Sequence, residues 1–251
     1  MILNENYSMG TAGIELKKEI FPGASTVVDG EIQQGIWLLY GPPKVGKAAF
    51  CVRFACDRIL EERECVYVLT NSSPAELITE ILAAEPELES RVEEYLKIID
   101  CYSWRFGKTG GEYQLSNASD LSQLSILIRK AVESLKSPSN GFGVAIDTIS
   151  TLALEAGPAA TVDFLQIQIA RMKELNCFGV CSLAEGVHQE PFANTLKVIF
   201  NGVFEMRHIE KEEGLRRAFR IFYLPRVHYS TDWLEYELTP RGIEFPSMNY
   251  L

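Results

Sequence analysis

The sequence predicts a doubly wound α/β domain, a mostly parallel sheet with helices on both faces and an antiparallel edge at its C-terminal end. Three observations carry this. Near-continuous apolar runs of strand length recur along the first two thirds of the chain, as expected for strands buried on both faces. Between them lie segments with helical periodicity, and after Asn201 the pattern changes to segments that alternate apolar and polar residues.

Element by element, "GIWLLYG" (35–41) is the first clear strand, and "KAAFCVRFACDRILEER" (47–63) a helix that follows a glycine-bearing loop directly. "ECVYVLT" (64–70) is the second strand. Ser73-Pro74-Ala75-Glu76 forms a capping box with proline at the first helical position, so a helix starts there. "LKIIDCY" (96–102) is a third strand. Leu121, Leu124, Ile128, Ala131 and Leu135 recur at helical spacing behind Ser119-Asp120. "GFGVAID" (141–147) and "CFGVCSLAE" (177–185) read as strands, with Val162, Leu165, Ile169 and Met172 marking the helix between them. "GVFEMRHIE", "LRRAFRIFYLP" and "DWLEYELT" complete the sheet as antiparallel strands, the first pair turning at "EEG". Strand–helix alternation of this kind gives the wound α/β architecture. With no repeat, linker or low-complexity tract, the 251 residues are expected to form a single domain, 1–251.

Composition narrows the function classes. The chain is 47% hydrophobic and 23% charged and has no run long enough to cross a bilayer. Its N-terminus lacks a basic start followed by an apolar core, so no secretory signal is read and a cytoplasmic location is expected. A net charge of −10 argues against general attraction to a nucleic-acid backbone. The basic stretch Arg207–Arg220 is interleaved with Glu205, Glu210, Glu212 and Glu213 and reads as a solvated hairpin. Six cysteines, none in a C-x-x-C pair, sit in apolar context and read as small buried hydrophobes. The three histidines, His188, His208 and His228, show no metal-ligand spacing.

One motif carries chemistry. Gly41-Pro42-Pro43-Lys44-Val45-Gly46-Lys47 satisfies G-x-x-x-x-G-K between an apolar strand and a helix, the arrangement that brings backbone N–H groups and a lysine against phosphate oxygens. The next residue should offer a hydroxyl to Mg²⁺, and it is Ala48, followed by Ala49. Downstream, Val144-Ala145-Ile146 leads into Asp147, an acid at a strand end suited to the water shell of that metal.

Together "LLYGPPKVGK", "YVLTNSSPAEL", "VAIDTISTLAL", "FLQIQIARMKELNCFGVCSLAE", "NGVFEMRHIEKEEGLRRAFRIF" and "YELTPRGIEF" resemble the KaiC-type branch of the RecA superfamily of ATPases, over residues 12 to 245, with 1–11 as a tail. The resemblance implies a RecA-like core, adenine nucleotide binding (ATP or ADP), and assembly into rings or filaments with nucleotide at subunit boundaries. It also exposes departures. Where the family has two glutamates after the second strand, this chain has Asn71 and Ser72. Where a late strand carries Lys-x-Arg to reach a neighbour's γ-phosphate, Leu224 replaces the lysine and Arg226 remains. Glu185 matches a position near the phosphates and is the one candidate water-orienting acid, and Lys44 could offset phosphate charge from within the loop. A base contributes about 10²- to 10⁴-fold in rate and an arginine finger about 10³- to 10⁵-fold. Their loss predicts nucleotide binding with little or no turnover, and only weak coupling to Mg²⁺. The alternatives are an active ATPase of recombination or repair, and an interaction protein that no longer binds nucleotide.

Overall fold

The computed structural model describes residues 27–29, 32–108, 110–212 and 214–245; the tail 1–11 lies outside them. β1 (Val28–Asp29) precedes β2 (Gly35–Gly41), α1 (Lys47–Leu60), β3 (Cys65–Leu69), α2 (Pro74–Ala84), α3 (Val92–Tyr95) and β4 (Leu96–Asp100). Then follow α4 (Leu121–Glu133), β5 (Phe142–Asp147), α5 (Ile149–Ala156), α6 (Pro158–Lys173), β6 (Cys177–Ala184) and α7 (Glu190–Ile199). β7 (Gly202–Lys211), β8 (Gly214–Tyr223), β9 (His228–Tyr229), β10 (Leu234–Thr239) and β11 (Gly242–Glu244) complete the chain.

Nine strands form one sheet in the order β11-β10-β8-β7-β2-β6-β5-β3-β4. β7, β2, β6, β5, β3 and β4 are parallel, while β8, β10 and β11 pair antiparallel on the β7 side. β1 and β9 form a separate two-stranded ribbon. Lys211 stands opposite Gly214, which confirms the hairpin expected at "EEG", although residue 213 lies outside the described residues.

The apolar runs are explained by burial on both faces. In β2, Trp37 and Leu39 enter one core with α1 and α2, while Ile36 and Leu38 enter a second core with α4, α5 and α6. β3 divides likewise, Cys65, Tyr67 and Leu69 against Val66 and Val68. β7, expected as an antiparallel strand, runs parallel to β2 and antiparallel to β8, and the two turn Phe204, Met206, Phe219 and Ile221 into the first core. Their other face carries Glu205, Arg207, Arg220 and Phe222, which is why these segments alternate in sequence. That face is not the loosely solvated hairpin the charges suggested. Arg220 and Lys197 both pair with Glu205, and Arg207 and Arg220 stack on Trp233 with their guanidinium carbons 3.9 and 4.4 Å from the ring centroid.

All six cysteines are buried free thiols. No described helix is long and apolar enough to cross a membrane.

Candidate nucleotide site

Strand order brings the carboxyl ends of β2, β6, β5 and β3 to one edge of the sheet, and the loops that leave them converge there, the usual ligand crevice of wound α/β folds. Gly41 closes β2, and its amide neighbour across the sheet is fixed by Glu185 N–H donating to the Gly41 carbonyl at 2.8 Å.

The loop Gly41–Ala49 turns sharply into α1. Lys44 is exposed with φ of 62° and Gly46 caps the helix with φ of 116°, both left-handed. No side chain caps this helix and its first turn holds no acid, so its leading N–H groups and positive dipole end are available to an anion. Beyond what a phosphate would need, the protein's own packing favours glycine at both positions. A Cβ at Gly41 would lie 2.5 Å from the Met206 carbonyl oxygen of β7, and one at Gly46 would lie 2.9 Å from Leu238 of β10. The Tyr236 hydroxyl of β10 donates to the Val45 carbonyl at 2.6 Å, so the antiparallel edge clamps the loop from above. Neither Tyr236 nor Leu238 was singled out from the sequence, where they read only as alternating strand residues.

Lys47 is buried, 9% exposed, and its ammonium donates to the carbonyls of Gly41 at 2.8 Å and Pro42 at 2.7 Å. Burial lowers its pKa to about 8, against the opposing pull of Asp147 and Glu185. Asp147 ends β5 beneath it, also buried. Desolvation pushes its carboxyl above the usual range, while a 2.6 Å hydrogen bond from the Ser182 hydroxyl of β6 and the Lys47 charge oppose that. Ser182, fully buried, is a partner that the sequence did not reveal.

Ala48, exposed in the first turn of α1, carries no hydroxyl. With no hydroxyl in the loop and one Asp147 oxygen held by Ser182, the donor set does not fit a Mg²⁺ ion ligated by the loop. Among the described residues no group of three or more His, Cys, Asp or Glu side chains could hold a metal.

The far side of the site is built differently. Thr70 N–H donates to the Asp147 carbonyl at 2.9 Å, tying β3 to β5, and the chain then exposes Asn71. Thr151 of α5 donates to Asn71 Oδ1 at 2.5 Å. Ser73 caps α2 in the expected box with Glu76. Glu185 is exposed at the end of β6. Leu224 is 4% exposed and packs in the first core, so it cannot stand in for a charge that reaches out of the subunit. Arg226 is exposed in the loop after β8, with φ of 61°, and donates to Gln33 at 3.2 Å.

The sequence model of the KaiC ATPase family matches residues 12–249. In fold the chain is similar to the crystal structure of a KaiC-like protein from the hyperthermophilic archaeon Pyrococcus horikoshii OT3, with a TM-score of 0.69. The identity there is 17%, over 91% of this chain and 97% of that one. No curated protein matches the sequence. The family match spans nearly all of a RecA-like sheet that carries a phosphate loop at its centre, and the chain therefore belongs to the KaiC family of ATPases, as a RecA-like nucleotide-binding domain.

Proposed function

We propose that this protein binds an adenine nucleotide, ATP or ADP, at Gly41–Ala49 and holds it with little or no hydrolysis. It would act as a nucleotide-responsive regulatory or scaffolding subunit, assembling with copies of itself or with a protein partner. The observation that carries this reading is the contrast at the two ends of one site. Lys47 is buried and held for phosphate beside an uncapped helix, whereas Asn71 and Ser72 bring no carboxylate to the end of β3.

Removing a positioned base costs about 10²- to 10⁴-fold in rate, and an incomplete trans finger, Arg226 without a lysine partner, adds to it. Binding depends on other groups: loop amides, helix dipole and the Lys47 ammonium. Mg²⁺ arriving with the nucleotide would meet no loop hydroxyl, leaving Asp147 to act on its water shell. Titration with a fluorescent adenine nucleotide, with and without Mg²⁺, alongside phosphate release, tests the proposal. Expected are saturable binding that depends weakly on Mg²⁺ and phosphate release at background. Lack of saturation at millimolar nucleotide would overturn it in favour of a pure interaction role.

One observation supports a working ATPase instead. Glu185 is exposed next to Gly41, and its charge acts on Lys47. Phosphate release above background that disappears in both Glu185→Gln and Lys47→Ala would establish that reading.

A further inference from the structure

We infer that Asn71 is the residue by which this site distinguishes a nucleoside triphosphate from a diphosphate, its amide nitrogen donating to the terminal phosphate. The inference rests on the nucleotide-binding reading above. It starts from how firmly the end of β3 is held. Thr70 donates its N–H to the Asp147 carbonyl at 2.9 Å, and its hydroxyl accepts the Thr148 N–H at 2.8 Å. The residue that follows β3 is thereby locked to the strand that carries Asp147.

Asn71 leaves that anchor into solvent, but its side chain is not free to turn. The Thr151 hydroxyl donates to Oδ1 at 2.5 Å, and the Thr70 hydroxyl lies 3.4 Å from the same oxygen. Thr151 sits in the first turn of α5, which is itself fixed by the Thr148 side chain at its N-cap. Both hydroxyls engage the oxygen, and Nδ2 makes no hydrogen bond among the described residues. An amide has two N–H donors on that nitrogen, and a terminal phosphate has only acceptors.

The electrostatic consequence separates this chain from one with a carboxylate at the same place. A carboxylate facing a terminal phosphate repels it and is tolerated where it handles a water. An oriented amide attracts the phosphate and offers no base. A diphosphate would be gripped by the loop and Lys47 alone and would gain nothing from Asn71. Thr151 then acts as a positioning residue, because without its hydroxyl the amide can rotate and present oxygen instead of nitrogen.

Isothermal titration of ADP, ATP and a β,γ-imido triphosphate into wild type, Asn71→Ala, Asn71→Asp and Thr151→Val tests this. Wild type should prefer the triphosphates. Asn71→Ala should weaken triphosphate binding about 10- to 100-fold, the range for one hydrogen bond to a charged group, with ADP affinity unchanged. Asn71→Asp should weaken it further, and Thr151→Val should fall between wild type and Asn71→Ala. Unchanged ADP affinity also reports that the variants fold. If Asn71→Ala moves both nucleotides equally, or neither, the inference is overturned while nucleotide binding stands. If wild type binds neither nucleotide, both readings fail together.

Discussion

The carboxyl ends of β2 and β3 lie on one edge of the same sheet and are built in opposite senses. At β2 the loop is tied by its carbonyls while the leading N–H groups of α1 stay uncapped: the Lys47 ammonium donates to the Gly41 and Pro42 carbonyls, Glu185 N–H also to Gly41, and Tyr236 to Val45. At β3 the chain runs into solvent with an amide and a hydroxyl in place of acids. On the proposed reading, grip and cleavage belong to different elements. The β2 loop is held by packing as well as by any ligand, since the Met206 carbonyl leaves no room for a side chain at Gly41 and Leu238 crowds the left-handed Gly46. The β3 end is held by hydrogen bonds instead, Thr70 to β5 and Asn71 to Thr151, with Asn71 itself exposed.

The strongest way to break this contrast is to rebuild the β3 end. Asn71→Glu combined with Ala48→Thr restores a carboxylate base and a loop hydroxyl on a scaffold that already holds the nucleotide. Phosphate release should rise about 10²-fold over wild type, the low end of what a positioned base contributes, because Leu224 still points into the core. A rate that stays at background would mean that the β2 end is not a competent grip. Next in size is Lys47→Ala, which removes the charge-assisted contacts to phosphate and should weaken nucleotide binding about 10²-fold in titration calorimetry. Equal affinity in wild type and variant would place the nucleotide elsewhere.

The sequence carried most of the sheet and half of the site, for physical reasons. Strands buried on both faces announce themselves as apolar runs, and the Ser73–Glu76 box fixes a helix start by local hydrogen bonds alone, so these elements were legible with ends displaced by up to three residues. The loop was legible because its chemistry is contiguous, from Gly41 to Lys47. What was not legible depends on strands far apart in the chain. Tyr236 and Leu238 meet the loop only because β10 comes to lie over it, and Ser182 meets Asp147 only because β6 is the neighbour of β5. The alternating charges of β7 and β8 likewise suggested solvation, whereas the fold pairs them with Glu205 and Trp233. Burial alone would push the Glu205 carboxyl up, and the bonds from Lys197 and Arg220 hold it below its ordinary range instead.

A third prediction concerns pH. The Lys47 pKa is lowered by burial to about 8 in the fold and returns to about 10.4 on unfolding. Between these values the unfolded chain binds more protons, so the nucleotide-free protein should gain stability as pH rises from 8 to 10.4. The gain has an upper bound of about 3 kcal/mol and should vanish in Lys47→Met, measured as the difference between the two denaturation series. Binding should show the reverse sign. Phosphate favours the charged ammonium, so nucleotide should take up protons near pH 8 to 9, and calorimetric heats should vary with the buffer's ionisation enthalpy. Heats independent of buffer would mean that Lys47 does not meet the phosphates.

The smallest expected effect falls on the clamp from the antiparallel half. Tyr236→Phe keeps the buried ring and removes one hydroxyl, leaving the Val45 carbonyl, 2.6 Å away in the parent, without its donor. An orphaned buried acceptor costs about 1–3 kcal/mol, so the denaturation midpoint should drop measurably with an unchanged m-value. The loop would also lose one of the contacts that set its conformation before the ligand arrives, and ADP affinity should fall a few-fold through reduced preorganisation. Leu238→Ala removes packing from the same strand without touching a hydrogen bond and separates the two contributions. If Tyr236→Phe lowers stability and leaves ADP affinity intact, the clamp serves the fold alone, and the β2 end owes its shape to residues 41–49 themselves.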